Sequence, residues 1–141
     1  NATSGRAWPG DSCVRTRLLL QRSRRCRRRI VSMALPHAQP GQVVDVSPLR
    51  GRIAREKTIA LFKSQDLEVM RVVLRSGASL PPHKVPGEIT IQCLEGELLV
   101  SVDGTDRTLK AGELLYLRGG ALHDLRAVQD SSALVTVALA R

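Results

Sequence analysis

Three histidines, His37, His83 and His123, and three cysteines, Cys13, Cys26 and Cys93, are the side chains of this 141-residue chain best suited to chemistry near neutral pH. Imidazole changes charge close to neutrality, so two of them held together could act as an acid and a base. The separation of His83 and His123 along the chain requires a fold to bring them together. His37 lies upstream of the β-rich region and has no strand to hold it. Lys84 falls between two inward positions and is expected to carry a solvated charge. Tyr116 sits in the apolar run Leu114-Leu115-Tyr116-Leu117, and its hydroxyl needs a partner, either at a cavity or in a subunit contact.

The elements that position these residues read as strands. From Gln42 onward, short β-rich runs are separated by turn residues about every ten positions, the pattern of an all-β sandwich or barrel. The expected strands are Val43–Val46, Thr58–Lys63, Leu67–Arg75, Glu88–Leu94, Glu97–Val102, Asp106–Leu109, Glu113–Leu117, Leu122–Val128 and Ala133–Leu139. No helix of any length competes. Two prolines in Gly77-Ala78-Ser79-Leu80-Pro81-Pro82 predict an irregular loop, because they cannot donate to a ladder. Asp103-Gly104 predicts a two-residue hairpin turn of the primed type, and Glu95-Gly96 a second tight hairpin reversal. Alternation then assigns faces: Met70, Val72 and Leu74 inward with Arg71 outward, and Ile89, Ile91 and Cys93 inward with Glu88 outward. An inward Cys93 is a small hydrophobe that packs and does not react.

Two stretches carry a resemblance. Gly77 is followed after five residues by His83, then Lys84-Val85, and later Gly96; Gly112, Gly120 and His123 follow a second spacing, whose usual Pro and Asn positions are held by Arg118 and Ala127. Both resemble the two motifs of the cupin superfamily, whose jelly-roll β-barrels often hold a metal at the centre. Fifteen residues, 97–111, separate them, about the shortest spacing usual in the family. The resemblance implies a jelly-roll fold over residues 33–141 and a site inside the barrel.

The metal implied by that resemblance is Fe, Mn, Ni or Zn, held by three His and one Glu. His83 and His123 match two of those four positions. Val85 stands at the second His position and Ile89 at the Glu position. Glu88 is one residue out of register, which turns a strand side chain to the opposite face unless a bulge intervenes. Two readings follow. One is a small-molecule-binding barrel in which His83 and His123 act within a cavity walled by Met70, Val72, Val85, Ile89, Ile91 and Cys93. The other is a metal-dependent oxygenase or isomerase with Glu88 or water completing the site. A purely structural or interaction module is the third alternative.

Charge divides the chain. Residues 1–32 contain nine Arg and one acid, whereas residues 33–141 carry 13 basic and 12 acidic side chains. The Arg-rich segment is expected to be disordered. It reads as upstream translation before Met33 or as an organellar transit peptide, and a nucleic-acid arm is disfavoured because Trp8 is its one aromatic and no basic face continues it. No apolar run approaches the ~20 residues a bilayer requires. Only Cys93 lies in the domain, so no disulfide forms there and a cytoplasmic, reducing compartment is expected. The Leu114–Leu117 run, apolar on both faces, predicts a homodimer.

Overall fold

A computed structural model describes residues 37–139; the Arg-rich segment and the Met33 boundary lie outside the described residues. A six-residue 3-10 turn, Arg50–Arg55, precedes nine strands: β1 (Ile59–Lys63), β2 (Leu67–Leu74), β3 (Ser79–His83), β4 (Ile89–Glu95), β5 (Glu97–Val102), β6 (Thr105–Lys110), β7 (Leu114–Leu117), β8 (His123–Ala127) and β9 (Ser131–Ala138). They form two antiparallel sheets, one ordered β1-β2-β9-β4-β7 and the other β3-β8-β5-β6. This is the all-β sandwich expected from alternation, with the jelly-roll form that the resemblance implies.

Period two sets the core. Val72 and Leu74 of β2, Ile89, Ile91 and Cys93 of β4, Leu98 and Val100 of β5, and Leu125 and Ala127 of β8 pack together between the sheets. Their polar neighbours point outward, so one face of each sheet is apolar as a sandwich requires. Aliphatic side chains fill nearly all of this core, as a chain with 2% aromatic residues must arrange.

Three expectations are corrected. Residues 79–83 form strand β3, because β3 lies at the edge of its sheet and pairs only with β8; an edge strand tolerates the missing N–H groups of Pro81 and Pro82. Val43–Val46 is not a strand. Val44 and Val46 are half-buried and Val43 is 93% exposed, so the segment alternates while lying across the outside of β1, β2 and β9 without joining a ladder. Glu95-Gly96 is no hairpin turn, since β4 and β5 belong to different sheets; it is a corner at which the chain changes sheet. Gly96 has φ 81°, and a Cβ there would collide with the Asp130 carbonyl and Ser131, so the corner requires glycine. The Asp103-Gly104 turn does have the primed form, with φ of 48° and 81°.

The outer face of the five-stranded sheet is covered by the segment leading into the 3-10 turn. Arg71, 7% exposed, donates from Nη2 to the Asp45 carbonyl at 3.1 Å. The Glu95 carboxylate accepts the Leu49 and Arg50 N–H groups at 2.7 Å each, and the Ser132 hydroxyl at 2.7 Å. Burial of Glu95 opposes ionisation, yet the hydrogen bonds from Ser132, Arg50 and Leu49, together with the Arg71 charge, hold its carboxyl below the ordinary carboxylate value.

Candidate functional site

His83 and His123 are direct cross-strand partners on β3 and β8. Their ring centroids lie 4.3 Å apart with the planes tilted by 56°. Strand pairing explains the meeting: opposed residues of an antiparallel pair project to the same face, and here that face is the barrel interior. His123 is 3% exposed, whereas His83 is exposed, so the pair runs from the interior to the mouth.

Each ring is oriented by its own backbone. His83 Nδ1 lies 2.9 Å from the Pro81 carbonyl and His123 Nδ1 2.9 Å from the Ala121 carbonyl, two residues back in each case. A carbonyl oxygen has no proton to give, so Nδ1 is the donor in both bonds. Both Nε2 atoms are left without a hydrogen-bond partner among the described residues.

The pair opens on a cavity of about 110 Å³. The expected residues Met70, Val72, Val85, Ile89 and Ile91 line it beside the two histidines. Leu80, Leu125, Val135 and Val137 complete the wall. Leu125 is readable from its position two residues after His123 on the same strand face; Leu80 is not, because Pro81 and Pro82 beside it give its strand the pattern of a loop. Cys93 does not line this cavity. It is fully buried deeper in the core, its thiol directed at the Glu95 carbonyl at 3.4 Å, and burial pushes that thiol above its ordinary value.

Glu88 is absent from the cavity as well. Its carboxylate accepts the Tyr116 hydroxyl at 2.6 Å on the exposed outer side of β4 and β7, and that bond raises the Tyr116 phenol above its ordinary value. Tyr116 thus finds its partner away from the barrel interior. With Glu88 turned outward and Val85 and Ile89 in the wall, no group of three His, Cys, Asp or Glu side chains able to hold a metal occurs among the described residues. The residues present do not fit the four-ligand metal set of the resemblance.

A larger groove of about 510 Å³ lies outside the sandwich, between residues 38–46 and the sheet, lined by Val44, Val46, Leu61, Phe62, Val69 and Leu134 among others. Its polar neighbours are already engaged: Lys63 pairs with Glu68 at 3.3 Å and the Ser64 hydroxyl bonds Leu67. It brings no pair of histidine, cysteine or carboxylate side chains together.

The sequence profile of the cupin domain matches residues 70–139, the interval that contains β3, β8 and both histidines. The chain carries a cupin domain. Solved cupin structures superimpose on it. An RmlC-like cupin protein from Desulfovibrio desulfuricans is 26% identical, with a TM-score of 0.55 over 73% of this chain and 94% of the other. A conserved protein of unknown function from Streptococcus pyogenes has a TM-score of 0.61 at 20% identity, covering 75% of this chain and 94% of that one. An RmlC-like cupin from Shewanella frigidimarina gives 0.56 at 23% identity over 60% and 76%. The last two likenesses concern the fold alone. No curated protein sequence matches the chain. No helix among the described residues is long and apolar enough to cross a membrane.

Proposed function

We propose that this cupin domain binds a small, largely apolar molecule in its barrel cavity, gripped by His83 and His123, and that it works without a tightly held metal. The observation that carries the reading is the cross-strand pairing of the two imidazoles, 4.3 Å apart, over an otherwise aliphatic cavity. Pockets that recognise small molecules are mostly apolar with a few convergent polar groups, and this cavity has that composition. Two copies of the chain are proposed to pair through the exposed outer face of β7, where Leu114 is 62% and Tyr116 57% exposed.

The alternative is a metal-dependent oxygenase or isomerase that uses Fe, Mn, Ni or Zn at His83 and His123 with Glu88. Against it stand the aliphatic side chains of Val85 and Ile89 in the wall and the engagement of Glu88 with Tyr116. Catalytic metal centres use three protein ligands as a rule, and two imidazoles fall short. The test is elemental analysis of protein purified without added metal, alongside native mass spectrometry for any co-purifying small molecule. A substoichiometric metal content is expected; one Fe, Mn, Ni or Zn per chain overturns the reading in favour of the enzyme.

A further inference from the structure

The hydrogen bonds of the two rings govern which molecules the cavity accepts. Both Nδ1 atoms donate to backbone carbonyls, Pro81 for His83 and Ala121 for His123. In a neutral imidazole the second nitrogen is then an acceptor with a lone pair and no proton. Neither Nε2 has a hydrogen-bond partner within the protein among the described residues, and the only fully enclosed side-chain polar atom lacking one there is Arg71 Nε. The Nε2 of the buried His123 therefore opens on the cavity. No carboxylate lines the space to balance an imidazolium, and no hydroxyl or amide side chain offers a donor.

Resting on the proposed binding function, we infer that the cavity selects compact, uncharged molecules that present an N–H or O–H donor, and discriminates against acceptors and anions. The walls supply apolar contact and the two Nε2 lone pairs supply the polar specificity. Size narrows the class further. An apolar cavity of ~150 Å³ holds a benzene molecule, so about 110 Å³ suits a five-membered ring or a short branched alcohol. A site built from acceptors leaves them unpaired when the occupant has no donor, and unpaired buried polar groups are what such sites reject.

The experiment compares two isosteres, pyrrole and furan, which differ in an N–H donor against a ring oxygen, with acetate as the anion. Affinities are read by ligand-observed NMR on the full chain at pH 8, where imidazole is neutral. Pyrrole is expected to bind about tenfold more tightly than furan, the effect of one hydrogen bond, and acetate not at all. In His83→Leu/His123→Leu the advantage of pyrrole disappears while furan still binds. Should that variant fail to fold, a long-range ¹H–¹⁵N spectrum of the wild-type histidines decides: both rings are expected as the Nδ1–H tautomer, and an Nε2–H tautomer at either overturns the inference. Equal binding of pyrrole and furan overturns the donor rule but leaves the cavity as a binding site. Acetate binding best overturns it too, since the pair would then act as donors. If neither ring binds, the binding function itself falls.

Discussion

Ile89 of β4 stands directly opposite Val137 of β9, and both side chains close the wall of the cavity that His83 and His123 open. In the cupin resemblance that position belongs to a metal-binding glutamate. Here two apolar side chains face each other across the ladder, and a carboxylate in place of Ile89 would have no partner in that wall. The Val85→His/Ile89→Glu variant therefore tests what the two substitutions have removed. Without metal it should be destabilised by about 2–4 kcal/mol, the consequence of losing buried apolar contacts and adding a buried carboxyl. With Ni or Zn it should regain stability and bind the metal far more tightly than the wild type, since four ligands then converge. Calorimetric titration of both proteins measures this, and equal wild-type affinity would mean that another group already serves as a ligand.

Glu95 makes acid stability a local question. Its folded carboxyl lies below the ordinary value of 4.5. A depressed carboxylate contributes stability that is present above its unfolded value and lost as pH falls through the folded one. Glu95→Gln removes the charge that accepts the Leu49, Arg50 and Ser132 donors. Urea unfolding at pH 7 should report a loss of about 1–2 kcal/mol, and the variant's stability should fall less steeply than the wild type's below pH 4.5.

Arg71 holds the covering segment from beneath. Arg71→Met removes the bond to the Asp45 carbonyl together with a guanidinium whose Nε has no partner. Amide hydrogen exchange over residues 43–49 is expected to rise about tenfold, while exchange in β4 and β9 stays unchanged. Equal acceleration throughout would indicate that Arg71 supports the whole sandwich.

The outer face of β7 predicts assembly. Light scattering at micromolar concentration should give twice the 15.4 kDa chain mass. Leu114→Lys/Tyr116→Lys, which places charges on an exposed face, should give the monomer without loss of fold by circular dichroism. A monomeric wild type refutes the pairing.

Cys93 should behave as packing. With the thiol fully buried and its ionisation disfavoured by burial, iodoacetamide followed by peptide mapping should leave Cys93 unmodified in native protein and label it only in denaturant. Native labelling at minutes would show a thiol that opens to solvent.

Alternation along the strands was enough to predict the sandwich, because side chains of period two must put Ile89, Ile91 and Cys93 on one face and Glu88 on the other. The same rule correctly kept Glu88 out of the interior, and the spacing of the two motifs singled out His83 and His123. Position along one strand says nothing about which strand lies beside it. That β3 is an edge strand tolerant of Pro81 and Pro82, that the Glu95-Gly96 corner separates two sheets, and that Cys93 sits behind the cavity instead of in its wall were decided by the order of strands in space. The burial of Arg71, outward by sequence and yet covered, was decided by a segment 26 positions away, and the partners of Glu95 lie 46 and 45 positions upstream and 37 downstream. The sequence by itself determined the faces of the strands and the histidine pair, through local geometry and motif spacing. Only the tertiary structure decided that the two rings meet at 4.3 Å and what surrounds them, because the pairing of β3 with β8 and long-range packing set both.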